Sequence, residues 1–402
     1  MLFYYICKVK IIYLHQYYRT PNQWGSTRSY YFAQAMREAG HEVHMICMGE
    51  GHKYQVKASE GIILHQIPVS YDQSDGYWSR VRSFMSYARQ AYKISKKLCR
   101  NKAVPSMIYA SSTPLTVGIS ALILKKTKGI PYYFEVRDLW PEAPVHLGII
   151  KNKGLIKLLY ILTRKIYKNA EKIISLSPGI CEGIKKYNIQ TPIVLLSNFS
   201  DLNLFQPMEA HPGWKAKYLN DHEKGIIYFG AMGYANHLAY FINLAEACQD
   251  LNLKFFIVGD GSEKETLAQL IFQKKLNNIC MLPPLPKAEL PELLSIMDFS
   301  YISFLNQPIL ETCSPNKFFD SLASGKITIS NTSGWMAETI NENQCGFYAP
   351  PEEISVFRDK IQVYLEDAQL LKQHQSNARK LAMEKYNAAL ICQELIKIIP
   401  AV

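Results

Sequence analysis

The chain has 402 residues, of which 48% are hydrophobic and 20% charged, a composition that excludes a mainly disordered protein. Its length exceeds the size at which one hydrophobic core usually stops growing, so we predict two domains. Charge is uneven, because residues 1–205 hold 28 Lys and Arg against 12 Asp and Glu, while the remainder is net acidic. The first half is therefore expected to meet nucleic acid, an anionic membrane surface or a diphosphate-linked substrate, unless its lysines serve solubility alone.

The nine cysteines lie far apart, and no Cys/His spacing suits zinc, which predicts reduced thiols in a cytosolic protein. The opening MLFYYICKVKIIYLH is interrupted by Lys8 and Lys10 and lacks a cleavage site, so it is interpreted as a first buried strand rather than a signal peptide. Whether Met1 to Tyr5 belongs to that strand or to an early start codon stays open. No apolar run reaches the ~18 residues that span a bilayer, so a protein integral to the membrane is not expected.

Short β-branched or aromatic runs alternate with helical patterns through the first half. The predicted strands, in chain order, are IIYLHQYY, HEVHMICM, MIYAS and PYYFEV, with a helix through SYYFAQAMREAG and another before PYYFEV. Such alternation predicts parallel βαβ units.

The same alternation of predicted strands and helices is found in the second half. Strands GIIYFG, KFFIVGDG and NICMLPP alternate with helices through LAYFINLAEACQDL, KETLAQLIFQKKL and ELPELLSIM. We therefore predict two Rossmann-like, doubly wound parallel sheets, with substrates in the cleft between the domains at the carboxyl ends of the strands. The boundary is expected in the stretch from Asn198 to about Glu223, where Pro207, Pro212 and Gly213 break both patterns. This gives domains at 1–205 and 206–375 and a final helical segment at 376–402.

The strongest local signal is ETCSPNKFFDSLASGK. Ser314 is a good N-cap and Pro315 suits a first helical turn, so free N–H groups and the helix dipole would form an anion pocket there. Asn316 and Lys317 would add a donor and a positive charge, and Asp320, one turn later, could hold the hydroxyl pair of a ribose. This pattern fits a nucleotide diphosphate, although a capped helix start is also an ordinary structural feature.

Three glycine-bearing loops are further candidates for binding a phosphate or a base. Gly230 lies in GAMGYANH, and Gly259 and Gly261 lie in VGDGSEKE, both at strand-to-helix turns. Gly25 and Ser26 precede a helix after the first strand, in NQWGSTRS. A simple turn requirement is the alternative for each loop.

Charged residues are concentrated in FEVRDLWPEAP, at the carboxyl end of a predicted strand. Arg137 and Asp138 are therefore candidate substrate-binding residues, unless they simply pair with each other at the surface. Two basic stretches, YWSRVRSFMSYARQAYKISKKLCR and KNKGLIKLLYILTRKIYKNAEK, carry apolar residues at helical spacing. The first could lie in a membrane interface, whereas the second is well explained as a core-facing helix with solvated lysines.

These segments, in this order, resemble the family-4 retaining glycosyltransferases of GT-B fold, notably the bacterial O-antigen and capsule enzymes that transfer amino sugars of the N-acetyl-fucosaminyl type. The resemblance rests on NQWGSTRS, RDLWPE, SLSPGI, SNFSDLNLF, VGDGSEKE and SPNKFFDSLASGK. It implies two Rossmann-like domains facing a cleft, a first domain that binds the acceptor, a second that binds the donor, and a C-terminal helix that packs back on the first.

The resemblance also assigns residues. The second acid of the family's Glu-x7-Glu element, which holds the ribose, corresponds to Asp320, and Glu311 stands one position from the place of the first acid, which contacts the sugar. Asn236 stands where many relatives carry a cation, which leaves Lys317 as the main cation on the diphosphate. Arg137 and Asp138 correspond to cleft residues near the acceptor.

The implied reaction is a retaining hexosyl or N-acetylhexosaminyl transfer from a nucleotide sugar, UDP-linked, to an undecaprenyl-diphosphate-linked saccharide. No metal or cofactor is expected, and the leaving diphosphate would help remove the acceptor's proton. The enzyme would act in the cytoplasm at the inner face of the membrane, without nucleic acid. The alternatives are a non-catalytic basic protein that binds membrane or nucleic acid, and another GT-B enzyme such as a nucleotide-sugar epimerase.

Overall fold

The computed structural model describes residues 9–49, 51–69, 77–100 and 106–399. The expectations for Met1 to Tyr5 lie outside this part of the chain. Contacts divide the protein into a first unit, 1–20, 26–197 and 390–402, and a second unit, 21–25 and 198–389.

The first unit is built on an eight-stranded sheet with the order β3-β4-β2-β1-β5-β6-β7-β8. Its strands are β1 (Lys10–Leu14), β2 (Glu42–Gly49), β3 (Gln55–Ser59), β4 (Ile62–Pro68), β5 (Ser106–Ser111), β6 (Tyr132–Val136), β7 (Lys172–Ser175) and β8 (Ile193–Leu195). All neighbouring strands are parallel except β3, which pairs antiparallel with β4 at one edge. The central strands β1, β5 and β6 are almost wholly buried, as expected of a parallel sheet covered on both faces.

The helices of the first unit are α1 (Arg28–Glu38), α2 (Tyr77–Leu98), α3 (Thr116–Lys128), α4 (Glu142–His146), α5 (Lys153–Asn169) and α6 (Pro178–Lys185). Helix α3 packs on β5 and β6 and lies between α2 and α5. The face of α2 that points inward carries Tyr87, Ala91 and Ser95, and Ser120 of α3 donates to the carbonyl of Ala88 at 2.8 Å. Helices α2, α3 and α5 thus form one layer on the sheet.

The second unit has a six-stranded, wholly parallel sheet with the order β11-β10-β9-β12-β13-β14. Its strands are β9 (Lys224–Ala231), β10 (Leu253–Asp260), β11 (Ile279–Leu282), β12 (Phe299–Ile302), β13 (Ile327–Ser330) and β14 (Gly346–Tyr348). Numbered from β9, this is the order 3-2-1-4-5-6 of the Rossmann fold, in which the strand order reverses between β9 and β12. The doubly wound prediction is confirmed for both sheets.

The helices from residue 198 onward are α7 (Pro212–Tyr218), α8 (Ala239–Ala247), α9 (Lys264–Gln273), α10 (Leu290–Ser295), α11 (Asn316–Ala323), α12 (Trp335–Glu342), α13 (Ile354–Glu366), α14 (Ala368–Lys385) and α15 (Ala388–Ile398). Short 3-10 turns lie at Tyr234–Asn236 and Pro308–Thr312. Buried aromatic and aliphatic side chains from β9, β10 and β12, packed against α8 and α13, form the core of this unit.

The division between the units lies at the start of the predicted boundary stretch, after residue 197 rather than after residue 205. Asn198 and Ser200 lie before the expected boundary after residue 205, yet their side chains bond Ser314 and Asp320 of the second unit. Residues 376–389 also belong there, because the Arg379 guanidinium donates to the carbonyls of Leu202, Phe205 and Ala323. Only the chain from Leu390 returns to the first unit, where the carbonyl of Ile398 accepts from the Tyr133 hydroxyl and the Lys172 ammonium.

Candidate functional site

The reversal of strand order in the second unit opens a crevice at the carboxyl ends of β9 and β12, the usual ligand position in an open α/β sheet. The loops there are tied together, because the Ser303 hydroxyl, just after β12, donates to the carbonyl of Asn236 at 2.7 Å. The Asn236 carboxamide also reaches the carbonyl of Ser303. Asn236, predicted to contact the donor, therefore lies at this switch point.

Lys317, on α11, is the buried cation at this edge of the sheet. Lys317 is only 8% exposed, and its Nζ lies 3.8 Å from the ring centroid of Tyr228 and 5.9 Å from that of Phe304. No group in the described part of the chain accepts a hydrogen bond from this ammonium or forms an ion pair with it. Burial lowers the pKa of Lys317 to about 7. A buried cation without a counter-charge is unfavourable unless a ligand supplies one.

Glycines allow close packing at the ends of β9 and β10, and one of them, Gly230, lies beside Lys317. A β-carbon at Gly230 would lie 3.2 Å from Cε of Lys317, and one at Gly259 would lie 1.9 Å from the carbonyl oxygen of Gly230. Both residues have positive φ, 138° and 145°. Gly261, also at positive φ, lies against the backbone of Met232 in the same way. Only glycine fits at Gly259, because the carboxyl ends of β9 and β10 touch backbone to backbone there.

Helix α11 begins later than predicted. It starts at Asn316 with Pro315 in the N-cap position, so the prediction of Ser314 as the N-cap is wrong. The carbonyl of Ser314 accepts from Nδ2 of Asn198 at 2.9 Å, and its buried hydroxyl has no partner among the described residues. The first helical N–H groups are therefore those of Asn316 and Lys317, which have no intrahelical acceptors.

Asn316 adds a donor beside these N–H groups. Its Oδ1 accepts from Asn198 at 3.0 Å, which orients the carboxamide and leaves its Nδ2 without a partner in the described chain. The start of α11 thus presents backbone and side-chain donors together with the Lys317 ammonium. An arrangement of this kind binds anions.

Asp320 is bound into a buried network. Its Oδ1 accepts from the Ser200 hydroxyl at 2.8 Å, and its Oδ2 lies 3.2 Å from Nζ of Lys287. Burial raises the pKa of Asp320, while Lys287 and Ser200 oppose that rise. Both carboxylate oxygens are therefore already engaged within the protein. The local sequence carried no signal for Lys287, which lies between β11 and α10.

We expect Asp320→Asn to destabilise the second unit by about 3–5 kcal/mol, because Lys287 would stay buried without its counter-charge. Urea unfolding measures this loss. Breaking the more exposed pair of Lys224 and Asp298 by Lys224→Met provides the control, with an expected change of ~0–1 kcal/mol.

The double variant Lys287→Met with Asp320→Asn removes both charges and should regain most of the lost stability. Its affinity for UDP then reports on the ribose contact predicted for Asp320. UDP affinity equal to that of the unaltered protein would contradict the ribose assignment.

Glu311, in the 3-10 turn Pro308–Thr312, packs against the turn after β13. Its Oε1 accepts from the Ser333 hydroxyl at 2.8 Å, and its Cβ approaches Gly334, where a β-carbon would lie 3.2 Å away. The structure thus places Glu311 against this turn, and its predicted contact with the sugar stays a prediction.

A second polar cluster lies in the first unit, also where the strand order reverses, between β1 and β5. Arg137, just after β6, donates to the Ser26 hydroxyl at 2.7 Å and lies 3.2 Å from Nε2 of His15. Burial, together with the charge of Arg137, lowers the pKa of His15 to about 3. His15 is therefore neutral, with Nε2 accepting from Arg137 and Nδ1 directed at the carbonyl of Ser111.

Asp138 has a different partner, because its Oδ2 accepts from the Thr113 hydroxyl at 2.8 Å. Arg137 and Asp138 thus do not pair with each other, and the surface-pair alternative is wrong. Gly25 and Ser26, predicted as one loop, fall in different units. The segment 21–25 accepts backbone hydrogen bonds from Lys287 and Ala288 of the second unit, whereas Ser26 lies with Arg137.

Sequence reasoning did not find the buried ion pair beneath this cluster. Arg28, on α1, donates from Nε to Glu135 at 2.8 Å, and Glu135 also accepts from Tyr109 and Ser111. The remaining guanidinium nitrogens of Arg28 bond the carbonyls of Leu196 and Ser197. Burial alone would raise the pKa of Glu135, but Arg28 and Arg137 lower it below its usual range.

Two family models match the chain. Residues 25–204 match Glycosyltransferase Family 4, and residues 213–381 match Glycosyl transferases group 1. The chain is a glycosyltransferase of GT-B fold. The transferase superimposes on sucrose-phosphate synthase from Thermosynechococcus elongatus with a TM-score of 0.79, at 14% identity and covering 97% of this chain and 98% of that one.

A second solved structure, Anabaena HepE in complex with UDP and glucose, matches with a TM-score of 0.70 at 15% identity, covering 97% of this chain and 98% of that one. Two bacterial glycosyltransferases are similar to the transferase in sequence. WbjE of Pseudomonas aeruginosa is 21% identical over 66% of this chain and 67% of its own length. WcaI of Escherichia coli, named for colanic acid biosynthesis, is 23% identical over 71% of this chain and 74% of its own.

These likenesses do not favour the alternatives, a non-catalytic binding protein or a nucleotide-sugar epimerase. Within the described ranges no three His, Cys, Asp or Glu side chains converge as metal ligands would, and the eight cysteines there form no disulfide. None of the described helices is both long and apolar enough to cross a bilayer.

Proposed function

We propose that the transferase moves a sugar from a UDP-linked donor to a lipid-diphosphate-linked acceptor in the assembly of a bacterial surface polysaccharide such as O-antigen or capsule. The observation that carries the donor assignment is Lys317, a buried ammonium at the switch point of the second sheet with which no carboxylate of the described residues pairs. A nucleoside diphosphate supplies the missing negative charge.

The start of α11 suits the leaving diphosphate. Negative charge develops on that group as the bond to the anomeric carbon breaks, and the N–H groups of Asn316 and Lys317 with the Lys317 ammonium are fixed in place to stabilise it. Donors that are already oriented in a buried site stabilise such charge strongly, because they need no reorganisation. Gly230 and Gly259 have no side chains, so the backbone beside the start of α11 is not covered by side-chain atoms there.

We propose retention at the anomeric carbon, with attack on the face from which the diphosphate departs. The acceptor oxygen bonds the anomeric carbon, the bond from that carbon to the diphosphate oxygen breaks, and the acceptor's proton passes to the diphosphate. No protein nucleophile, metal or cofactor takes part. The transferred sugar is proposed to be a hexose or an N-acetylated amino or deoxy sugar.

The polar cluster of the first unit is proposed to bind the acceptor. No carboxylate among the described residues bonds the Arg137 guanidinium, which the Ser26 hydroxyl and Nε2 of His15 orient. Asp138, held by Thr113, offers a carboxylate for an acceptor hydroxyl. UDP is chosen because HepE was solved with it, and a polysaccharide acceptor because WcaI is named for colanic acid biosynthesis. We place the enzyme in the cytoplasm, at the inner face of the membrane.

The pH dependence of UDP binding tests the donor site. Lys317 in the free protein loses its proton near pH 7, whereas an unfolded lysine keeps it to about pH 10.4, so bound diphosphate must restore the proton above pH 7. We therefore expect the UDP dissociation constant to rise by up to about tenfold per pH unit above pH 7. The same depressed pKa makes the stability of the free protein rise with pH between these two values.

Calorimetric titration with UDP from pH 7 to pH 9 measures this dependence, because the terminal phosphate of UDP, with a second pKa of about 6, is mostly ionised in that range. GDP and dTDP, titrated in parallel, identify the nucleotide. Constant UDP affinity across this range would contradict the assignment of Lys317 to the diphosphate.

A further inference from the structure

The helix layer formed by α2, α3 and α5 carries charge of one sign. These three helices contain fourteen Lys and Arg residues and no Asp or Glu. Most of the cations are exposed, including Arg82, Arg89 and Lys93 on α2 and Lys126 and Lys128 on α3. A surface of this composition attracts an extended anionic partner.

Helix α5 exposes an apolar row within this positive field. Leu155, Leu158 and Ile161, spaced by three residues, are 36%, 60% and 45% exposed. The opposite side of α5, with Ile166 and Tyr167, is buried against the unit. The sequence favours a core-facing interpretation of this helix, but Leu155, Leu158 and Ile161 are exposed.

Cations flank the apolar row on the same side of α5. Lys157, Arg164, Lys165 and Lys168 are all exposed. The neighbouring helices add Met85 of α2, 51% exposed, and Ile123 of α3, 38% exposed. Single exposed apolar residues are ordinary on soluble proteins, but a row of them among cations with no acid is typical of helices that lie in a membrane interface.

We propose that this helix layer docks on an anionic lipid surface, with Leu155, Leu158 and Ile161 entering the acyl boundary and the surrounding cations contacting lipid phosphates. The inference rests on the proposed function, since a lipid-linked acceptor lies in such a surface. Nucleic acid is the less suitable polyanion, because the exposed row is aliphatic and cannot stack on bases.

Vesicle co-sedimentation of the full chain tests the proposal. We expect binding to phosphatidylcholine vesicles that contain phosphatidylglycerol, little binding to phosphatidylcholine alone, and weaker binding as salt is raised. The variant Leu158→Ser with Ile161→Ser should lower partitioning by about tenfold or more, with the thermal unfolding of the protein unchanged.

Phe272→Ser serves as the matched control, because Phe272 on α9 of the second unit is 84% exposed, and this variant should bind vesicles as the unaltered protein does. Undiminished vesicle binding by the Leu158/Ile161 variant, equal binding to both vesicle types, or displacement from vesicles by duplex DNA would each overturn the proposal.

UDP titration of the same preparations separates this inference from the proposed function. If vesicle binding fails while UDP still binds, only the docking surface is wrong. Should vesicles bind in the predicted way while UDP does not, the docking surface stands and the transfer function falls.

Discussion

Lys317→Met is expected to weaken UDP binding by about 100-fold and to slow sugar transfer by about 100- to 1000-fold. The ammonium is the buried cation that would meet the diphosphate, and methionine fills nearly the same volume without charge. Its sulfur can pack on the ring of Tyr228 as the ammonium now does. The free energy of unfolding should rise, because an unpaired buried charge is removed.

Calorimetry with UDP, initial rates of transfer and urea unfolding together measure this prediction. If Lys317 is a binding residue, its substitution should lower activity and raise stability. Substitution of a residue that is needed for packing would lower both. The variant should also bind UDP with no pH dependence above pH 7. Retained UDP affinity, or a loss of stability, would contradict the role assigned to Lys317.

Lys326→Met is the matched control for that variant. Lys326 is likewise buried, and burial lowers its pKa to about 8, but its ammonium donates to the carbonyl of Met297 at the amino end of β13. Removing it should lower stability and leave UDP affinity unchanged. Equal loss of UDP binding in both variants would show that the effect comes from disturbance of the sheet rather than from a lost ligand.

Arg28→Met is expected to destabilise the first unit by about 3–5 kcal/mol. Glu135 would remain fully buried after losing its main counter-charge, and the carbonyls of Leu196 and Ser197 would lose their donor. The pKa of Glu135 should rise in the variant, since Arg28 now helps to lower it. Urea unfolding, with hydrogen exchange of the amides of β1, β5 and β6, measures the loss and assigns it to this unit.

The double variant Arg28→Met with Glu135→Leu should regain a large part of that stability, because no uncompensated charge stays buried. Lys125→Met, which breaks the exposed pair with Glu171, is the control and should change stability by ~0–1 kcal/mol. An Arg28→Met variant as stable as this control would show that the buried pair contributes little.

Most of the fold could be predicted from the sequence because parallel strands covered on both faces are short continuous apolar runs. The runs at β1, β5, β6, β9 and β10 were found in this way. The boundary was predicted only as a stretch from Asn198 to about Glu223, because its position after residue 197 is set by side-chain bonds to Ser314 and Asp320 rather than by prolines. Helical periodicity likewise revealed the apolar residues of α5 but not whether another element covers them.

The candidate site was predictable only where its signal is local. The glycine turns and the cation of α11 lie within short segments, and the structure places Gly230, Gly259 and Lys317 together. Two buried ion pairs join residues far apart in sequence, Arg28 with Glu135 and Lys287 with Asp320. No local sequence pattern indicates either pair. Ser314 looked like an N-cap because serine is common there, but its carbonyl accepts a hydrogen bond from Asn198 and the N-cap is Pro315.

The path of the chain decides how chimeric transferases could be built. The chain changes unit after residues 20, 25, 197 and 389, so a single crossover would leave 21–25 of one parent on the second unit of the other. The bonds that hold this segment run from the N–H groups of Lys287 and Ala288 to the carbonyls of Gln23 and Pro21. Because both partners are backbone groups, recombination of two parents keeps these bonds whatever side chains each contributes.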